Sequence, residues 1–167
     1  MTAIITGRDA VLARWAATLI PYIRTPERFG RCHAVGIATG NKPTDRLMAA
    51  VVFFNHDLDA GVCQIGVASA DPRWCHRGII GAVLAVPFID MDCRKVWCMI
   101  PHINDRTIGL AKAVGFRREG CLRDQFGRNK HAEVYRMLKP DYERHYDGRP
   151  VTRDEARPAT NEQREAA

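Results

Sequence analysis

Two stretches of this 167-residue chain combine residue types that can do chemistry. The first reads Ala70-Asp71-Pro72-Arg73-Trp74-Cys75-His76-Arg77-Gly78-Ile79-Ile80-Gly81-Ala82. A strand-like apolar run ends at Ser69, Pro72 turns the chain, and a basic loop opens a helical pattern. The first amides of a helix have no intrahelical acceptor and sit at the positive end of its dipole, so such a junction attracts anions. Arg77 adds charge there, and Gly78 permits close approach to the backbone. The second stretch is Asn104-Asp105-Arg106-Thr107, then Gly115-Phe116-Arg117-Arg118-Glu119-Gly120-Cys121-Leu122-Arg123. Alone, it reads as a helix capped by Asn104 and closed by Gly115, followed by a charged strand. Cys32, Cys63, Cys75, Cys93, Cys98 and Cys121 form no C-x-x-C pair, and Cys32-His33 and Cys75-His76 are adjacent residues with poor ligand geometry. They read as reduced thiols, with no metal site expected.

The elements that must position these stretches follow from periodicity. Residues 8–19 repeat Val11, Leu12, Trp15, Ala16 and Leu19 at helical spacing, and Thr6 with Asp9 resembles a capping box. Thr25-Pro26-Glu27 starts a short second helix. Strand-like runs at 33–39, 46–55 and 62–69, separated by polar turns, form an antiparallel meander. A helix over 77–91, kinked at Pro87, leads to a strand at 94–100. A helix over 104–114 precedes strands at 116–122 and 131–137. The strand-helix-strand unit after Ser69 implies a right-handed parallel crossover. The expected fold is α/β: a mixed, mostly antiparallel sheet of six to seven strands with helices on both faces.

Read together, the two stretches resemble the GNAT N-acetyltransferases, most closely the branch that modifies protein N-termini and its phage-borne relatives. The similarity lies in N-x-x-S/T, seven further residues, then G-F-x-x-E-G-x-x-R, preceded by a Pro-to-Gly loop at 72–78. It covers about residues 69–142. The resemblance implies acetyl-CoA as cofactor, lying between two splayed parallel strands, here 62–69 and 94–100. Backbone groups near Ser69 and Ala70 would meet the pantetheine arm. Amides of Arg77, Gly78, Ile79, Gly81 and Ala82 would hold the pyrophosphate, with Arg77 and Arg73 on CoA phosphates. Asn104 and Thr107 would lie near the sulfur. Cys75 and Ile80 stand where the family carries Gln or Arg and a small residue, and Ala111 replaces the usual Tyr, so Thr107 would supply the hydroxyl for the thiolate. The implied activity is transfer of acetyl from the thioester to a primary amine by direct attack. Glu119 is then a base candidate, unless it pairs with Arg117 or Arg123. Tyr135 is an acid or core, His56 and His131 are further candidates, and Trp74 covers either a ligand or the core.

Composition limits the remaining classes. The 46% hydrophobic and 26% charged fractions are those of a globular domain, which excludes a wholly disordered or collagenous chain. No apolar run reaches the roughly 18–20 residues of a membrane span, and no leader layout is visible at the N-terminus, so no membrane partner and a cytoplasmic location are expected. Residues 147–167 hold four Arg against five Asp or Glu and two prolines, and read as a disordered tail. The chain's +6 charge therefore places +7 on a single domain, 1–146, which acts as a monomer or homodimer. Two other readings stay open: a CoA-fold protein that binds without catalysing, and an acyltransferase-like protein engaging nucleic acid through Arg117, Arg118, Arg123, Arg128 and Lys130. Aromatic residues for base stacking are thin there, so nucleic acid is not favoured.

Overall fold

The computed structural model describes residues 2–40 and 45–146. The tail expected from Asp147 lies outside the described residues. Seven strands form one sheet: β1 (Ala3–Ile5), β2 (His33–Ala38), β3 (Leu47–Asp57), β4 (Val62–Ser69), β5 (Lys95–Pro101), β6 (Arg117–Leu122) and β7 (Ala132–Leu138). Their order is β1-β2-β3-β4-β5-β7-β6. All neighbours are antiparallel except β4 and β5. The helices are α1 (Asp9–Leu19), α2 (Arg77–Ala85), α3 (Asp105–Val114) and α4 (Lys139–Tyr146), with 3-10 turns at Pro26–Phe29 and Pro72–Trp74. No described helix is long and apolar enough to cross a membrane.

β3 is buried on both faces, which explains its unbroken apolar run. Its two faces differ in bulk. Ala50, with Ala34 of β2 and Ala68 of β4, packs beneath Ala13, Ala16 and Ala17 of α1, so small residues let that helix lie close. Gly36 belongs to the same contact: a Cβ there would come within 2.7 Å of Leu12. The other face carries Val35, Ile37, Val51 and Phe53 beneath α2 and α4, with Phe88 stacked on Tyr142 at 4.9 Å.

Several local expectations change. β1 is an additional edge strand paired with β2, too short to show a pattern. α1 starts at Asp9 with Arg8 at its N-cap, not in a Thr6 capping box; the Asp9 carboxylate instead accepts the Ala34 N–H at 2.8 Å, tying helix to sheet. The helix expected over 77–91 is α-helical only to Ala85. Pro87 lacks an N–H, and the chain widens into a π turn at Val86–Asp90, closed by Met91 N–H to Val86 C=O at 2.9 Å. α4 follows β7 without a loop and was not expected; its burial rests on Tyr142 and Tyr146.

Candidate active site

β4 and β5 pair only at Val62–Lys95, Cys63–Val96 and Gln64–Trp97. Beyond these, residues 65–69 and 98–101 diverge and leave a gap through the sheet. Ala70 donates its N–H to Met48 C=O at 2.8 Å, so even-numbered residues face β3. Odd-numbered residues turn toward β5, and at the closed end Gly61 C=O accordingly accepts Arg94 N–H at 2.7 Å. Where the strands part, Val67 and Ser69 therefore present backbone groups to the gap without a strand partner. The Ala70 N–H is already used by β3, and the Ser69 hydroxyl accepts from Trp74 Nε1 at 2.9 Å, which leaves Trp74 buried as core.

At the open end lies the start of α2. His76 at the N-cap makes no side-chain capping bond, and Ile80 is the first residue to bond back, to His76 C=O at 3.0 Å. The amides of Arg77, Gly78 and Ile79 are the helix's unpartnered donors. A Cβ on Gly78 would meet nothing within 4 Å, so the space above them is open. Gly81 and Ala82 sit a turn deeper, and Gly81 C=O accepts from the Tyr142 hydroxyl at 3.5 Å. The expected arginines are engaged elsewhere. Arg73 clamps Asp71, Nη2 to Oδ2 at 2.6 Å, and these hydrogen bonds hold the Asp71 carboxyl down to about 2. Arg77 donates to His145 C=O and lies 5.4 Å over the Tyr146 ring.

α3 starts on the opposite side of the gap. Asn104 donates its N–H to Pro101 C=O at 2.8 Å, and its side chain accepts Thr107 N–H at 3.1 Å, so the end of β5 passes directly into a capped helix. The Thr107 hydroxyl makes no hydrogen bond among the described residues. Arg106, beside Thr107, acts on Cys75 ahead of α2: burial raises that thiol, and the Arg106 charge opposes the rise. The two helix starts thus flank one opening. Burial also pushes Cys98, on β5, up to about 12, and raises Cys63 and Cys93, so these thiols stay protonated at neutral pH.

The remaining candidates stand apart from this opening. Glu119 pairs with neither Arg117 nor Arg123: its carboxylate lies 2.6 Å from Lys95 Nζ, and Lys95 opposes Val62 at the closed end. Tyr135 is 2% exposed and opposite Cys98, within the core. His56 lies near the β3–β4 hairpin, and His131 Nδ1 accepts the Asp124 N–H at 3.0 Å. His102, which sequence reasoning passed over, follows β5 directly. Its Nδ1 is 3.2 Å from His131 C=O, which in the neutral ring places the proton on Nδ1 and leaves Nε2 as acceptor. The sequence signal for it was only its place two residues before the Asn104 cap. Among the described residues no His, Cys, Asp and Glu group could hold a metal.

No family model and no curated protein matches the sequence. Solved structures do match. A mutant form of the spermidine/spermine N-acetyltransferase SpeG from Vibrio cholerae aligns with a TM-score of 0.65 and 13% identity, over 85% of this chain and 97% of that one. SpeG in complex with manganese ions gives 0.63 and 14% over 84% and 94%. A chimera of SpeG and hSSAT gives 0.64 and 16% over 84% and 98%. This chain has the GNAT fold. The expected α/β architecture, a mixed and mostly antiparallel sheet with one parallel pair, agrees with it.

Proposed function

We propose that the chain is an acetyl-CoA-dependent N-acetyltransferase acting on a primary amine. The observation that carries this is the gap between β4 and β5, with unpartnered backbone groups along one wall and unpartnered helix amides at its mouth. These residues fit the cofactor. Val67 and Ser69 would hydrogen-bond the amides of the pantetheine arm as a missing strand would. The amides of Arg77, Gly78 and Ile79 would take the pyrophosphate, with Gly81 and Ala82 supporting that turn from the core. Arg73 and Arg77 would shape the mouth, through Asp71 and the end of α4 respectively. When bound, acetyl-CoA supplies an activated acetyl thioester. Thr107, held by the Asn104 cap, would donate its free hydroxyl to the departing sulfur. The raised thiols support direct attack by the amine over an acyl-cysteine route. Glu119 and Tyr135 fit positioning better than proton transfer, since one is tied to Lys95 and the other is enclosed in the core.

Calorimetry with CoA, together with labelled acetyl transfer to a panel of amines, tests the reading. Saturable CoA binding and a labelled amide are expected. No binding at millimolar CoA would overturn it.

A further inference from the structure

We infer that the amine acceptor carries negative charge close to its amino group, as an acidic peptide N-terminus or a carboxylated or phosphorylated small amine does. The inference rests on the acetyl-transfer reading above. Tyr22, just after α1, stacks on Phe126 of the β6–β7 loop with centroids 4.0 Å apart and an interplanar angle of 20°. This contact spans from the α1 side of the sheet to the loop beyond β6. It crosses the face on which Lys95 and Trp97 of β5 stay partly exposed, because α1 covers only β2 to β4. The unpartnered amides of α2 belong to the other face, so a thioester reaching the gap from α2 meets its amine on the bridged face.

The charge there is predominantly positive. The two segments joined by the stack, residues 20–32 and 123–131, bring Arg24, Arg28, Arg31, Arg123, Arg128 and Lys130 against only Glu27 and Asp124. All six cations are exposed, and none forms an ion pair among the described residues. Five arginines elsewhere are paired with carboxylates: Arg73 with Asp71, Arg118 with Glu133, and Arg117, Arg136 and Arg144 with Asp141. Asp124 is itself occupied, accepting the Asn129 N–H at 2.8 Å. A polycation would be repelled here, whereas an anionic amine is drawn in. The same field disfavours an ammonium ion, so it raises the fraction of neutral amine available to attack. The amine nitrogen forms the amide bond, the C–S bond breaks, and the amine's proton goes to the CoA thiolate. Tyr22 and Phe126 spend their ring faces on each other, which argues against bases stacking there.

The test measures CoA release with the full chain and acetyl-CoA. The acceptors are a peptide with Asp and Glu after its N-terminal residue, its Asn/Gln and Lys counterparts, phosphoethanolamine, glutamate and spermidine. The acidic peptide or the small anionic amines should exceed the Lys peptide and spermidine in kcat/KM by about tenfold or more at low salt, a margin that shrinks in 0.5 M NaCl. Which anionic arm leads tells peptide from small molecule. The triple variant Arg123→Gln, Arg128→Gln, Lys130→Gln should raise KM for the anionic acceptor about tenfold, as three exposed charge contacts imply, while CoA affinity by calorimetry stays unchanged. Phe126→Ala should raise that KM too. Equal or better turnover of spermidine, or a triple variant with unaltered KM, overturns the inference and leaves acetyl transfer standing. Acetylation of no amine overturns both.

Discussion

Thr107 is the residue on which the proposed chemistry turns, because its amide is fixed by Asn104 while its hydroxyl is left over. Thr107→Val keeps the shape and removes the donor. It should lower kcat about a hundredfold, within the range for a positioned proton donor, with CoA affinity and unfolding midpoint nearly unchanged; Thr107→Ser should restore most of the rate. The charge on Asp71 sets a pH dependence in the loop ahead of α2. Its carboxyl is held down to about 2 by the Arg73 hydrogen bonds. A carboxyl lowered by folding contributes stability above its ordinary value and loses it as pH falls toward the folded value. The contribution of Asp71 to the loop ahead of α2 should therefore be constant above about 4 and fall away only as pH approaches 2. A carboxyl-carbon NMR titration of Asp71 checks this, and a midpoint near 4 would contradict it.

The elements show how a short segment is locked in place. Gly115 ends α3 at φ +104°, and a Cβ there would meet His145 and Met137 at 3.3 Å. Gly115→Ala should cost about 1–2 kcal/mol, from backbone strain and crowding together, and Asn104→Ala about 1 kcal/mol from the lost cap; urea unfolding of both variants measures this. These two ends were legible in the sequence because a cap and a left-handed stop depend on residue type. So were the meander, the crossover and the GNAT-like spacing of Asn104, Thr107 and Gly115. What could not be read depends on distant partners. Asp9 looked like a cap residue until Ala34 was known to lie beside it. Glu119 has two arginines nearby in sequence, yet pairs with Lys95, brought across from β5. Arg77 seemed free for a phosphate because nothing in the sequence announced α4. The stack of Tyr22 on Phe126 joins positions over a hundred residues apart and leaves no local trace.

For the whole molecule, the sheet is two antiparallel halves joined by three register pairs and a common core. Such a seam is the weakest part of the ladder, and a ligand seated in it would bridge the halves. CoA at a hundredfold excess over its Kd should then stabilise the protein by about 2.7 kcal/mol, read as a rise in melting temperature and as slowed amide exchange at Val67 and Ser69. A rise without protection at those two amides would place the ligand elsewhere.

The π turn at Val86–Asp90 has a consequence of phase. Each residue of an α-helix advances the chain by about 100° and 1.5 Å, and each residue of a strand reverses the face its side chain addresses. The wide turn takes up one residue without passing that rotation on. Together with residues 91–94, tied back by Cys93 N–H to Pro87 C=O at 2.8 Å, it leads into β5 with Val96 buried and Trp97 half-buried. Deleting a single residue from this turn would leave composition and hydrophobicity almost untouched, yet it would present the wrong side of β5 to the gap. The turn works as a spacer whose length is counted in sidedness, not in distance.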